Sequence, residues 1–229
     1  MSRKEIFELV KNIPTLRRRL TPYLTEQNDP YFDTFLAVTC FALPQNNLEK
    51  LVKEKLESEL LEELKKYSIC EIGKGAYSRS FRIFGRKYLA VTEPNDPAYP
   101  DAPSPREYEG TVVIGEQLNL ENYSRHMING RRFDITLSNS LLGDLNATNL
   151  KPVSYERGGL ETIRDILTVF SKITKRDGIS VHRCDYSIIQ TLVQNGFLGK
   201  VDLSIEAYLR SLTQGGFIED ETIAVLRKT

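Results

Sequence analysis

The segment YSRHMINGRRFDITL, residues 123–137, holds the clearest local structure signal in the chain. At its centre is Asn129-Gly130, the pair best suited to a two-residue hairpin turn whose central residues take positive φ. Outward from that turn, apolar and polar residues alternate. His126, Ile128, Phe133, Ile135 and Leu137 fall on one face, and Arg125, Arg132, Asp134 and Thr136 on the other. The alternation predicts a half-buried antiparallel hairpin, because strand side chains point to opposite faces in turn. His126 then reads as a core histidine. Arg125 opposite Asp134 reads as a surface ion pair worth at most about 1 kcal/mol.

A second hairpin is predicted upstream. Phe84-Gly85-Arg86-Lys87 has Gly at the first central turn position, and Tyr77, Phe81, Ile83, Tyr88 and Ala90 share a face across it. Pro94, Pro97, Pro100, Pro103 and Pro105 exclude helix and central strand from 94–105. Thr111 to Leu120 reads as another strand. Residues 71–150 therefore read as a small antiparallel sheet.

The flanks read as helix. Ser2 and Glu5 fit a capping box ahead of Ile6, Leu9 and Val10. Asp29-Pro30 starts a helix from Phe32 to Leu43 that is apolar nearly all round, and Pro44 closes it. Asn47 caps a long helix carrying Leu48, Leu51, Val52, Leu56, Leu60, Leu64 and Tyr67. Beyond Gly158-Gly159, Ile163, Ile166, Leu167, Phe170 and Ile173 form a helical stripe. Two short helices are predicted to end at Gly196 and Gly216 in left-handed conformation. The expected fold is α+β, with helical segments at 1–70 and 151–229 around a small antiparallel sheet of hairpins. A winged-helix-like unit at 185–229 completes it.

Composition narrows the function. Formal net charge is +0 over 229 residues, which argues against an obligate polyanion binder. Cys40, Cys70 and Cys184 are odd in number and widely spaced, which suits reduced thiols rather than disulfides or a metal site. The polar start Met1-Ser2-Arg3-Lys4-Glu5 lacks an apolar signal core, and no apolar run is long enough to cross a bilayer. The expectation is a cytoplasmic protein with no cofactor, no metal and no transmembrane segment.

The string Ile72-Gly73-Lys74-Gly75-Ala76-Tyr77-Ser78 resembles the glycine-rich loop of protein kinases over seven residues. Beyond them the likeness fails. Thr92 stands where the kinase lysine belongs, Val181-His182-Arg183-Cys184-Asp185 lacks the following asparagine, and no Asp-Phe-Gly follows. The loop also lacks the Gly-Lys-Ser/Thr of a phosphate-binding P-loop. His182, Cys184 and Asp185 read as a polar turn with Asp185 capping the next helix. No Cys–His pairing, neither Cys184 with His126 nor Cys40 with His182, has sequence support.

From Ile72 to Thr92 there is no acidic residue, while basic and aromatic residues alternate. Lys74, Arg79, Arg82, Arg86 and Lys87, joined by Arg125, Arg131 and Arg132, are the candidate anion- or nucleic-acid-binding residues. The resulting expectation is a non-enzymatic binding or assembly module that meets nucleic acid or another polyanion through a basic hairpin face. One alternative is a self-associating structural protein of the viral or phage scaffold type, docking through its helical segments. Another is an enzyme acting on a phosphate-bearing substrate through the Gly73–Gly75 loop.

Overall fold

A computed structural model describes residues 1–15, 18, 32–54, 62–72, 88–92, 111–114, 130–139, 160–210 and 221–229. Its centre is a seven-stranded sheet, not a set of hairpins. The strands are β1 (Ile69–Ile72), β2 (Tyr88–Thr92), β3 (Thr111–Ile114), β4 (Phe133–Asn139), β5 (Thr174–Asp185), β6 (Leu203–Arg210) and β7 (Glu221–Lys228), in spatial order β3-β2-β1-β4-β5-β7-β6. The pairs β2–β3, β1–β2, β1–β4 and β4–β5 are all parallel. Only β7 runs the other way, between β5 and β6.

Parallel sheets need both faces covered. One face is covered by α1 (Arg3–Asn12), α2 (Phe32–Ala42) and α3 (Gln45–Glu54); the other lies beneath α4 (Leu160–Ile173), α5 (Tyr186–Gln194) and the single turn α6 (Phe197–Lys200). The first interface joins Ile6, Phe7, Phe35, Leu36 and Val38 to Ile135, Leu137, Val181 and Val225. The second joins Ile163, Leu167, Phe170 and Ile189 to Cys70, Phe133, Cys184 and Leu226. The predicted stripe of α4 is thus the face it buries.

Local rules explain the helix ends. In α1, Ser2 Oγ accepts from the Glu5 amide at 3.2 Å and Glu5 Oε2 accepts from the Ser2 amide at 2.6 Å, the expected capping box. Every residue from Phe32 to Phe41 is buried, as an all-round apolar helix requires. Asp185 caps α5 by accepting from the Ser187 amide at 2.7 Å. Gly196, just past α5, takes φ +63, while Gly216 lies outside the described residues.

The antiparallel hairpin sheet is overturned. Strand β4 has β1 on one edge and β5 on the other, so neither edge is left for a partner across Asn129-Gly130. Gly130 does take φ +70, but the turn leads into a central strand. Strand β2 is likewise held between β1 and β3, which excludes the hairpin across Gly85. The expected inward face splits too. A register shift between Phe133 and Ile135 sends Phe133 to the α4 side and Ile135 to the α2 side. Residues 151–229 are not helical throughout, and the winged-helix expectation fails with them: β5, β6 and β7 lie there. His126, Arg125 and the Pro-rich stretch 94–105 lie outside the described residues.

Candidate functional site

Among β1 to β5, chain order and spatial order diverge at one place. From β1 the chain moves outward through β2 and β3, then returns to the other side of β1 with β4 and β5. In a doubly wound sheet this switch leaves a crevice beyond the carboxyl ends of the two strands that flank it, where no crossover covers the edge. Here those strands are β1, ending at Ile72, and β4, ending at Asn139. Arg183 of β5 stands in register with Asn139.

Glu71 marks this edge, and the sequence that follows adds two glycines and a second acid. Glu71, the penultimate residue of β1, is fully buried. In sequence β1 runs directly into Gly73-Lys74-Gly75, and β2 runs directly into Glu93, twenty residues beyond Gly73. A glycine pair after the first strand with an acid about 20 residues on is the spacing by which doubly wound proteins approach a nucleoside and hold its ribose hydroxyls.

The covering helix adds charge. Arg227, in register with Ile179 at the amino end of the stretch of β5 that pairs with β7, donates through Nη2 to Phe41 O at 3.5 Å near the end of α2. Helix α2 therefore runs opposite to β5, and its first turn, with buried Asp33 and Thr34, points toward the carboxyl edge. Arg183 is also buried, on the face that carries Val181.

On the opposite face, β4 and β5 carry a ladder of buried polar groups. Ser138 Oγ lies 2.9 Å from His182 Nδ1, and His182 Nε2 lies 2.8 Å from Ser180 Oγ. Thr136 Oγ1 is 2.8 Å from both Ser180 Oγ and Thr174 Oγ1. Thr174 donates in turn to Phe170 O at 2.6 Å. The His182 ring meets Phe170 edge-on with centroids 4.5 Å apart. Burial pushes the His182 pKa down to about 3, so the imidazole is neutral near pH 7.

Of the sequence-predicted binding residues, Lys74, Arg79, Arg82, Arg86, Lys87 and Arg125 lie outside the described residues. Arg131 and Arg132 are exposed just before β4. That places them at the amino edge of the sheet, away from the crevice. Asp134 is held by the Ser68 amide at 2.8 Å, by the Ser68 hydroxyl at 2.5 Å and by Lys175 Nζ at 2.8 Å. Burial opposes its ionisation, but these donors outweigh it and hold the carboxyl below its ordinary range. Burial pushes the Cys40 thiol up to about 12, which disqualifies it as a nucleophile. Among the described residues no cluster of His, Cys, Asp and Glu could hold a metal ion, and no helix is long and apolar enough to cross a membrane.

Glu71, Glu93, Asn139 and Arg183 were absent from the predicted binding residues. The spacing from Gly73 to Glu93 was the signal for the acids, but those glycines were compared with a kinase loop, and β1 has only four residues to announce it.

No family model matches the chain, and no curated protein matches it. Among solved structures it is similar to the N-methyltransferase NodS of Bradyrhizobium japonicum WM9, at 14% identity over 77% of this chain and 98% of that one, TM-score 0.46. A TehB-like SAM-dependent methyltransferase of Corynebacterium glutamicum is similar at 18% identity over 70% and 79%, TM-score 0.44. An rRNA methylase of Streptococcus thermophilus is similar at 12% identity over 73% and 90%, TM-score 0.43. The strand order and register establish the doubly wound sheet independently of these likenesses. That sheet removes the basic hairpin face on which the non-enzymatic binding module rested. In its place stands a doubly wound sheet whose strand order switches between β1 and β4.

Proposed function

We propose that this chain is an S-adenosylmethionine-dependent methyltransferase whose cofactor site is the crevice between the carboxyl ends of β1 and β4. The observation that carries the reading is the strand order β3-β2-β1-β4-β5-β7-β6, with its single switch point and its one reversed strand. A dinucleotide fold repeats its nucleotide-binding half in parallel as strands four, five and six. Here antiparallel β7 stands between β5 and β6, so one nucleoside-binding half remains. The third glycine of the pyrophosphate fingerprint is replaced by Ser78, and no P-loop Lys-Ser/Thr is present. The ligand these features favour is an adenosine without a phosphate chain.

The donor set fits such a group. Glu93 supplies a carboxylate for the ribose hydroxyls, and Gly73 and Gly75 lack the Cβ atoms that would keep the backbone from it. Buried Glu71 supplies a second carboxyl group near the end of β1. When bound, S-adenosylmethionine supplies an electrophilic methyl group on a sulfonium. Asn139 stands beside the switch point, where an acceptor would be held against that methyl. The acceptor we propose is a nucleic acid. The basic run Lys74, Arg79, Arg82, Arg86 and Lys87 follows β1 directly in sequence.

Thermal melting tests the reading directly. S-adenosylhomocysteine at a hundredfold excess over its Kd should add about 2.7 kcal/mol of stability, while NAD and ATP add none. Glu93→Ala should weaken that binding tenfold or more. A rise in Tm with NAD or ATP and none with S-adenosylhomocysteine would overturn the reading.

A further inference from the structure

Paired parallel strands advance in step, yet β4 and β5 do not at their amino ends. Between the rungs Phe133–Thr174 and Ile135–Ile179, β4 moves on by two residues and β5 by five. The surplus, Lys175-Arg176-Asp177, leaves the ladder as an exposed bulge. Asp177 takes a left-handed φ of 63 there, and a Cβ at Gly178 would lie 2.8 Å from Asp134 O. Two contacts hold the bulge in place. Arg227 Nη1 donates to Asp177 O at 2.7 Å, and Lys175 Nζ donates to Asp134 Oδ1 at 2.8 Å. Bulges of this kind re-aim side chains at the rim of a sheet.

The residues around the bulge are basic as well. Arg131 and Arg132 directly precede Phe133, and Lys172 stands in the last turn of α4, just before Thr174. One rung of the amino edge thus gathers five exposed cations, Arg131, Arg132, Lys172, Lys175 and Arg176, against the acids Asp134 and Asp177. That local excess of three positive charges sits in a chain of formal net charge +0. Asp134 is already taken by Lys175. Among the described residues, Arg131, Arg132, Lys172 and Arg176 make no ion pair. Cations on edge strands deter mispairing, but β4 and β5 are interior strands with a neighbour on each side.

We propose that this bulge-built patch is a docking surface for the phosphate backbone of a nucleic acid, the acceptor whose reacting base enters the crevice at the other edge. This rests on the acceptor being a nucleic acid. Three of the five cations are arginines, whose guanidinium fork matches phosphate oxygens. A lipid surface would call for apolar side chains beside the cations. Among the described residues the exposed large apolar side chains are Met1, Tyr186 and Val193, none of them within 130–134 or 172–178. Strand β4 has seven residues, about 23 Å from edge to edge, so an acceptor held at both edges is a polymer rather than a nucleotide.

The test uses the full chain and a fluorescently labelled RNA duplex of about 20 base pairs, longer than the distance between the edges. Anisotropy should show binding that weakens steeply as salt rises, because each neutralised phosphate releases counterions. Arg131→Glu and Arg176→Glu should each weaken it by about fivefold or more and make the log–log salt slope shallower by about one. Arg210→Glu makes the same change of charge at the exposed end of β6, on the opposite edge, and should weaken it by less than about twofold. Equal effects of the three variants would assign the binding to overall charge and overturn the proposal. So would a wild type that binds no RNA at low salt, or one that binds phosphatidylserine vesicles and not RNA. Should Arg176→Glu fail to fold, Arg131→Glu, outside the bulge, makes the same comparison. Melting with S-adenosylhomocysteine judges the cofactor site separately. The patch variants should keep the wild-type rise in Tm; losing it along with RNA binding would trace both to a damaged fold and overturn the proposal. A wild type that binds RNA through the patch but not S-adenosylhomocysteine overturns the methyltransferase reading alone.

Discussion

At the scale of single residues, the chain stakes most on two positions, one buried and one half-buried. His182 is neutral in the fold and takes up a proton when unfolded, because burial lowers its pKa from 6.5 to about 3. Its stabilising contribution is therefore complete above about pH 6.5 and is lost as pH falls toward 3, at about 1.4 kcal/mol per pH unit. Urea titrations from pH 7 to 4 should show that slope, and His182→Gln should flatten it. Gly178 is the second position. A Cβ there would sit 2.8 Å from the carbonyl oxygens of both Asp134 and Lys175, which are backbone atoms that cannot swing aside. Gly178→Ala should cost about 1–3 kcal/mol in denaturant melts. Gly196→Ala meets nothing within 4 Å and pays only for its left-handed φ, about 1 kcal/mol.

At the scale of elements, the sequence disclosed helices better than strands. The capping box of α1, the all-apolar α2 and the stripe of α4 obey local rules, and local rules can be read off a chain. The strands were misread for a physical reason. In β4, Thr136 and Ser138 alternate with Ile135 and Leu137, the pattern of a strand half exposed to water. Yet both faces of β4 are buried, and its polar side meets the hydroxyls of β5 rather than solvent. Period-two patterning cannot distinguish the two. Strand β5 was hidden by Asp177-Gly178, which reads as a turn but lies within the strand with Asp177 at φ 63. Gly130 takes the positive φ expected of it, but Asn129 lies outside the described residues and β4 pairs with β1 and β5 instead. The site was legible only as spacing, Gly73 to Glu93, and that spacing acquires meaning once β1 and β2 are known to run parallel. The helical layer allows a direct check. Phe7 is fully buried between α1 and the rest of the first core, so Phe7→Ala should cost about 3–5 kcal/mol and lower the midpoint of chemical unfolding without altering its slope.

At the scale of the whole molecule, the sheet binds distant parts of the chain together. Strand β1 lies against β4 more than sixty residues away, so its central rungs close only after long loops have formed. Folding should accordingly be slow beside that of a helical bundle of equal length. Stopped-flow refolding should show the sheet forming on the millisecond-to-second scale, after the helical signal of α1 and α2.

The reversed strand also sets an order of synthesis. Strand β6 leaves the ribosome before β7, yet β6 touches the sheet only through β7, which lies between it and β5. Until Glu221–Lys228 has emerged, β6 has no ladder to join, and Val181, Ile223 and Val225 cannot close the core they share. A nascent chain stalled before residue 221 should thus carry an orphaned strand and an open flank on β5. Such edges invite pairing with other chains. On ribosome-tethered intermediates, protease resistance of β5 should appear only when the final strand clears the exit tunnel, which makes the co-translational window before that moment the stage at which this chain most needs a chaperone.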